Sequence, residues 1–113
     1  MTKLLKDFSE GNKKHYYLET GNGKYLGECL IKKYSDSYEL WNVQIFEPFQ
    51  RMGYGTFMLR EIIKRYKRFI KSDMPLILYV YKDNEVAINL YKRFGFKIVG
   101  EYSKHAWEMR LTY

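Results

Sequence analysis

Cysteine, proline and long apolar segments are the features that this sequence has least of. Its 113 residues include one cysteine, Cys29, and two prolines. One cysteine excludes an intramolecular disulfide and leaves no thiol-based metal site. No stretch approaches the ~20 apolar residues of a membrane span, and the opening MTKLLKDFSE lacks the apolar segment of a signal peptide. We therefore expect a single globular domain over residues 1–113, in the cytoplasm, without a metal or a membrane partner.

Acidic residues are scarce relative to basic ones. The 20 lysines and arginines exceed the 13 aspartates and glutamates, which gives a net charge of +7. Such an excess favours an anionic partner, which could be a nucleic acid, an acidic protein or a phosphorylated cofactor. The densest basic segment, KRYKRFIK at residues 64–71, is better interpreted as the solvated face of a helix. Charge alone leaves these alternatives open.

Apolar periodicity predicts a mixed order of strands and helices. HYYLET and YLGECLIKKY flank GNGK, a pattern typical of a β-hairpin, and KLLKDF has room for a short first strand before the loop-like SEGNKK. YELWNVQIF, residues 38–46, predicts another strand, whose alternation places Glu39, Trp41, Val43 and Ile45 on one face. A helical stripe follows from Thr56 to about Lys71.

The second half of the chain continues this alternation. LILYVY, residues 76–81, is an unbroken apolar run that fits a strand buried on both faces. Asn84 is a good helix N-cap and Gly95 a good helix stop, with an amphipathic segment between them. FKIVGEY and AWEMRLTY predict two further strands. The whole pattern indicates one α/β domain around a mixed sheet.

The loop before the first helix has the spacing Gln50-x-x-Gly53-x-Gly55. The two glycines could serve only the backbone geometry of a sharp turn into the helix. Alternatively, they let an anion approach amides that point outward together at a helix N-terminus. The spacing matches neither a P-loop nor a dinucleotide-binding fingerprint. It suits a pyrophosphate held by main-chain amides without a metal.

Two motifs resemble the GNAT superfamily of N-acetyltransferases. QRMGYG matches the family's Q/R-x-x-G-x-G/A loop, and NEVAINLYKRFGF at residues 84–96 matches its following helix. The resemblance extends over residues 14–113. It implies a single-domain GNAT-like fold, with a mixed, mostly antiparallel sheet, a central splay between two strands and two main helices. It also implies acetyl-CoA as the cofactor.

The resemblance assigns cofactor-binding roles to particular residues. Pantetheine would lie in the splay against the main chain of Val43, Gln44 and Ile45, with Asn84 and Tyr91 beside it. The pyrophosphate would lie on the loop formed by Gln50, Arg51, Met52, Gly53, Tyr54, Gly55 and Thr56. There the glycines permit close approach, and the helix dipole favours the negative charge.

The same resemblance suggests the catalytic residues. Tyr91 would protonate the departing thiolate, although an aromatic side chain at helical spacing is also typical of a core. Glu39, 11 positions before Gln50, matches a catalytic glutamate in the histone-acetylating branch, with a water chain as the alternative base. The amide of Val43 or Gln44 would stabilise the oxyanion.

Other candidates have no motif to support them. His15 and His105 are better interpreted as surface or hydrogen-bonded histidines, and Cys29 as a small buried residue. Trp41 and Trp107 fit a core, although Trp41 shares a strand face with Glu39 and could line an acceptor site.

The N-terminal region departs from the family pattern. Members of the family open with a strand and two helices, and the loop between those helices forms one wall of the acceptor pocket. About a dozen residues precede the first confident strand here, so two helices do not fit. We therefore expect an open acceptor site that suits a protein-borne or otherwise large amine, or that a second subunit completes in a homodimer.

The leading hypothesis is an N-acetyltransferase that moves an acetyl group from acetyl-CoA to a primary amine on a protein or small molecule, by direct transfer in a ternary complex. One alternative is a coenzyme A-binding regulatory module without turnover. The other is a nucleic-acid-binding protein that uses the basic helix face, which leaves the spacing from Gln50 to Gly55 unexplained.

Overall fold

Seven strands and two α-helices make up most of the chain. The computed structural model describes the backbone of residues 1–113 and all side chains except those of residues 5–7. The strands are β1 (Lys3–Glu10), β2 (Lys13–Glu19), β3 (Tyr25–Lys33), β4 (Tyr38–Ile45), β5 (Leu76–Tyr81), β6 (Lys97–Ser103) and β7 (Ala106–Leu111), and the helices are α1 (Tyr54–Tyr66) and α2 (Glu85–Arg93). The described strands form one sheet in the order β1-β2-β3-β4-β5-β7-β6.

The first four strands form an antiparallel meander. The predicted strand in KLLKDF is present but runs on to Glu10, and the predicted GNGK hairpin joins β2 to β3. The loop expected in SEGNKK is wrong: Ser9 pairs with Lys14 and Glu10 with Lys13. Gly11, with φ of 58°, closes this turn, which leaves no helix between β1 and β2.

The sheet splits at its centre. β4 and β5 are parallel but pair only through Tyr38 with Leu76 and Glu39 with Ile77, after which the two strands diverge. β5 pairs along its length with β7 on its other side. The predicted fold class, a mixed and mostly antiparallel sheet with a central splay and two main helices, is confirmed.

Both helices cover the same face of the sheet. β4, α1 and β5 form one crossover between parallel strands, and β5, α2 and β6 form another in the same direction along the sheet. Because such crossovers are almost always right-handed, both helices are expected on one face. α1 and α2 contribute to one core with alternate side chains of the strands; its large members include Leu40, Met58, Leu59, Ile62, Leu76, Leu78, Ile88, Tyr91, Phe96 and Met109. No helix in the described chain is long and apolar enough to cross a bilayer.

The structure corrects both ends of the first predicted helix. α1 begins at Tyr54 rather than Thr56, because Gly53 at the N-cap has φ of 84°. It ends at Tyr66 rather than Lys71, because the amides of Phe69 and Ile70 both donate to the Tyr66 carbonyl and close a turn. Ile70 remains fully buried, so its place in the apolar stripe reflects a turn that packs on the core.

A β-bulge in β4 overturns the predicted grouping of its side chains. Asn42 has φ of 53°, and residues 42 and 43 together oppose Cys29, since Glu28 pairs with Gln44 and Leu30 with Trp41. The extra residue reverses the alternation. Glu39 and Trp41 therefore lie on the face away from the helices, whereas Val43 and Ile45 pack against the core.

Candidate active site

The loop between β4 and α1 is closed by Gln50. Its side-chain Nε2 donates to the Ile45 carbonyl over 2.8 Å, and its main-chain amide donates to Glu47 over 3.2 Å. Gln50 therefore shapes the loop from within rather than offering its side chain to a ligand. Arg51, with φ of 65°, and Gly53 then turn the backbone into the helix.

The amides of this loop are available to a ligand. Among the described residues, no acceptor receives the N–H groups of residues 51–56, and the first amide with a partner is that of Phe57, which donates to the Gly53 carbonyl over 3.1 Å. A helix N-terminus with unsatisfied amides carries partial positive charge. The loop predicted to hold the pyrophosphate therefore has a geometry suited to an anion.

The two glycines have different physical requirements. Gly53 adopts the left-handed region, which side chains rarely occupy, although a Cβ there would have no neighbour within 4 Å. Gly55 is helical, and a Cβ at that position would meet only Ile45 Cγ1, at 3.9 Å, an ordinary contact. Folding explains Gly53 but not Gly55. The absence of a side chain at Gly55 favours close approach by a ligand.

Glu39 lies at the apex of the splay, as the last β4 residue paired with β5. Trp41 Nε1 donates to its Oε1 over 2.7 Å, and the Tyr79 hydroxyl donates to its Oε2 over 3.2 Å. The carboxylate is partly buried and fixed in orientation by two donors. It is therefore positioned to accept a proton at the mouth of the gap.

Tyr79 is a site residue that the sequence reasoning missed. The interpretation of LILYVY as buried on both faces concealed it, since Tyr79 is only partly buried and Tyr81 is exposed. Burial, reinforced by the Glu39 carboxylate, raises the pKa of Tyr79 to about 12. Strand alternation was the available signal, because it points the Tyr79 side chain to the face of the sheet opposite to that of Leu78 and Val80.

Tyr91 combines a buried ring with a hydroxyl that forms no hydrogen bond with the described residues. The side chain is 9% exposed and its ring meets Phe96 edge-on, with centroids 5.7 Å apart. Every fully buried side-chain nitrogen and oxygen in the described part of the chain has a hydrogen-bond partner. The Tyr91 hydroxyl has no such partner among the described residues, so it keeps contact with solvent and can meet a ligand. Burial, with a smaller effect from Cys29, raises its pKa to about 12.

Asn84 is the predicted helix cap. Its Oδ1 accepts from the Ala87 amide over 3.2 Å, which satisfies one of the free amides of α2. The side-chain amide nitrogen donates no hydrogen bond to the described residues, so it remains a donor for the predicted pantetheine arm.

Val43, Gln44 and Ile45 line one side of the gap. Gln44 and Ile45 pair with Glu28 and Gly27 of β3, while the ladder between β4 and β5 has already ended at Glu39. The edge of β4 toward β5 therefore presents main-chain groups to the splay. The Gln44 side chain turns away to donate to Glu28 over 3.2 Å.

The predicted catalytic residues do not share one surface. Tyr91 belongs to the core between the sheet and the helices. Glu39 and Trp41 lie on the other face of the sheet, away from the helices. The gap between β4 and β5 is the route that joins the two faces. A cofactor that passes through it would meet the loop and Tyr91 on one side and Glu39 on the other.

The remaining candidates lie outside this arrangement. His15 stacks on Phe8 with centroids 4.0 Å apart, and His105 is exposed. Cys29 is buried as expected, and its surroundings raise the pKa of the thiol to about 12, chiefly through burial. Such a thiol is a poor nucleophile. Trp41 is a partner of Glu39 rather than a core residue.

Comparison with known proteins shows which family and which relatives this chain is similar to. The model of the acetyltransferase (GNAT) family matches residues 1–96. An N-alpha-acetyltransferase from Sulfurisphaera tokodaii is 36% identical over 58 residues, which cover 51% of this chain and 34% of the relative. The match therefore spans about a third of the relative's length.

Solved structures share the fold at low sequence identity. The ribosomal-protein-S18-alanine N-acetyltransferase of Escherichia coli superposes with a TM-score of 0.81 at 19% identity, over 98% of this chain and 93% of its own. A GNAT family acetyltransferase from Elizabethkingia anophelis, with acetyl-CoA bound, gives a TM-score of 0.83 at 14% identity, over 99% and 98%. A PaiA N-acetyltransferase from Thermoplasma acidophilum, in complex with coenzyme A, gives 0.75 at 20% identity, over 90% and 62%.

Proposed function

Because the chain belongs to the acetyltransferase (GNAT) family, we propose that it transfers an acetyl group from acetyl-CoA to a primary amine by direct transfer in a ternary complex. The observation that carries this proposal is the row of amides at residues 51–56, which lack an acceptor among the described residues and lie beside the splay. The residues present fit coenzyme A: amides for its pyrophosphate, and an open strand edge for its pantetheine arm.

The acceptor proposed here is a protein-borne or otherwise large amine. β1 passes to β2 through a short turn, so no helix between them covers the face that carries Glu39. Access from this face suits an amine at the end of a chain. The Escherichia coli protein is named for acetylation of an alanine of ribosomal protein S18, which supports the same class, and the Sulfurisphaera protein is named an N-alpha-acetyltransferase.

The chemistry follows from the positions of three groups. Acetyl-CoA would supply the acetyl group as a thioester, and coenzyme A would depart as the thiolate when the carbon–sulfur bond breaks. Glu39 accepts a proton from the acceptor amine, directly or through water, which makes the nitrogen nucleophilic. The Val43 or Gln44 amide donates to the carbonyl oxygen as its charge increases, and the Tyr91 hydroxyl supplies a proton at the sulfur.

The first experiment is mass spectrometry of peptides with free N-terminal amines after incubation with acetyl-CoA. The wild-type protein is expected to add one acetyl group. Glu39→Gln preserves the acceptor for Trp41 but removes the base, so we expect kcat to fall by ~10² to 10⁴. Acetyl-CoA affinity, measured by calorimetry, is expected to stay the same.

Two outcomes would contradict the proposal. Full activity of Glu39→Gln from about pH 6 to about pH 9 would remove Glu39 from the mechanism and leave water as the base. Tight binding of acetyl-CoA without turnover of any tested amine would favour the regulatory module. His105→Gln, at an exposed residue outside the site, is the matched control and should behave as wild type.

A further inference from the structure

A second concave surface lies at the far end of α1 and has no part in the proposed reaction. It is a groove of about 1040 Å³. Among its described lining residues, five are cationic and one is acidic: Lys14, Lys64, Arg65, Lys67, Arg68 and Glu61. We call this surface the basic groove. It brings much of the positive charge of KRYKRFIK around one open depression of the surface.

Two aromatic rings are exposed in the basic groove. Phe69 is 46% exposed and Tyr113 is 54% exposed. The Arg68 guanidinium lies 5.3 Å from the Phe69 centroid, and Lys67 Nζ lies 5.6 Å from that of Tyr113. Each ring thus has a cation beside it. This is the combination that binds stacked bases next to phosphates.

The turn after α1 holds this surface in place. Amides of Phe69 and Ile70 donate to the Tyr66 carbonyl over 2.9 and 3.0 Å, and Ile70 is fully buried. Tyr66 is fixed in turn by a 2.7 Å hydrogen bond between its hydroxyl and that of Tyr16. The core therefore anchors Ile70 and leaves Phe69 outside. The Phe69 ring meets that of Tyr66 edge-on, with centroids 6.4 Å apart, and the rest of its surface stays open to a ligand.

We propose that the basic groove binds single-stranded nucleic acid, as a function separate from acetyl transfer. Lys67 and Arg68 follow Lys64 by three and four positions, about one helical turn, so Lys64 and this pair can contact neighbouring phosphates. Phe69 provides the stacking surface for a base. Positive charge alone would serve an acidic peptide equally well, but a peptide carboxylate gains nothing from an exposed ring beside each cation.

This surface is distinct from the predicted cofactor loop. The loop lies at the N-terminus of α1, whereas the groove begins near Glu61 and continues past the C-terminus. A helix of 13 residues is about 20 Å long, so the two sites are at opposite ends of one rod. Both can be occupied at once.

The charge contribution is tested with fluorescein-labelled oligo(U) and oligo(dT) of about 15 nucleotides. Anisotropy is measured on the full chain between about 50 and about 200 mM salt. The triple substitution Lys64→Ala, Lys67→Ala and Arg68→Ala is expected to weaken binding at least about tenfold and to lower the salt slope by about 2. Arg65 is left intact because it bonds to the Leu4 carbonyl.

The matched charge control replaces three exposed lysines outside the groove, Lys92, Lys97 and Lys104, by alanine. It removes the same net charge and should keep nearly the full affinity and slope. Equal losses in the two triple variants would overturn the proposal, as would no binding of either oligonucleotide at low salt. Circular dichroism and acetyl-CoA calorimetry check that both variants are folded.

The stacking contribution is tested with Phe69→Leu against Phe8→Leu. The two phenylalanines have the same exposed fraction, 46%, but Phe8 stacks on His15 away from the groove. Only Phe69→Leu should weaken binding, by about fivefold or more, with an unchanged salt slope. Polyglutamate that competes fully while Phe69→Leu has no effect would make the groove an acidic-peptide site. Displacement of the oligonucleotide by acetyl-CoA would place it in the cofactor cleft. Either result overturns the proposal.

Discussion

Tyr91 provides the most direct residue-scale test of the proposed reaction. Its hydroxyl has no partner among the described residues, while its ring packs in the core. Tyr91→Phe keeps the ring, so we expect acetyl-CoA binding and stability to be retained. Turnover should fall by ~10² to 10⁴ if proton transfer to the thiolate limits the rate. Thiol release measured beside calorimetric binding checks this result.

The pH dependence of this step follows from the same residue. Burial raises the pKa of Tyr91 from 10.0 to about 12, so the phenol stays protonated through neutral and mildly alkaline pH. Tyr91 should therefore add no alkaline limb to the rate profile below about pH 10. In the folded protein, the stabilisation from this neutral phenol is complete below pH 10 and is lost as pH rises through about 12. Equal turnover in Tyr91→Phe and wild type would remove the hydroxyl from the mechanism, and the exposed Tyr81→Phe serves as control.

At the scale of the element, the loop before α1 contains two glycines whose substitution should affect different properties, one acetyl-CoA affinity and the other stability. Gly55→Ala adds a methyl group that meets only an ordinary contact, and alanine favours the helix by about 0.5–1 kcal/mol. We expect unchanged or higher stability and acetyl-CoA affinity at least about tenfold weaker, or ~1.4 kcal/mol. Calorimetry and urea unfolding measure the two quantities.

Gly53→Ala is the matched comparison for that test. The left-handed backbone at Gly53 makes a side chain cost about 1–2 kcal/mol, so this variant should lose stability. If Gly55→Ala binds acetyl-CoA as tightly as wild type, the loop does not bring phosphates close to that Cα. The glycine at position 55 would then need another explanation.

Strands, helices and caps were predictable from the sequence where neighbouring residues alone determine them. Apolar runs gave β4 and β5 nearly to their ends, and Asn84 predicted its own cap, because a side-chain oxygen at the N-cap needs no tertiary partner. The bulge at Asn42 was not predictable. Its sequence alternates normally, and only pairing with β3 shows that two residues oppose Cys29.

The candidate site was predictable in part for the same reason. The spacing of Gly53 and Gly55 is local and indicated the anion loop. Of the two side chains that donate to Glu39, Trp41 is on the same strand and Tyr79 is 40 residues away in sequence. Only the contact with Trp41 could therefore be anticipated. That Glu39 and Val43 occupy opposite faces depends on the bulge, and that Tyr91 lies on the face away from Glu39 depends on the direction of the crossovers, which no short motif encodes.

At the scale of the whole molecule, a cofactor bound in the splay would connect the two parts of the sheet, β1–β4 and β5–β7. β1–β4 and β5–β7 are joined within the sheet by two residue pairs, at Tyr38 and Glu39. They are also joined by the contacts of Tyr79 with Glu39 and Trp41, and through α1 and the core. A ligand lying along β4 would add contacts where the sheet has none. The two parts should therefore open more readily in the free protein than in the complex.

This opening has a consequence for hydrogen exchange. Acetyl-CoA at 100 times its Kd stabilises a binding-competent structure by about 2.7 kcal/mol. Amides along Val43–Ile45 and in α2 should then exchange ~100-fold more slowly, while those of β1 and β2 change less, provided that exchange occurs through separation of the two parts. Mass spectrometry of deuterium uptake can measure this difference. Uniform slowing in every strand would mean that the sheet opens only as one cooperative unit.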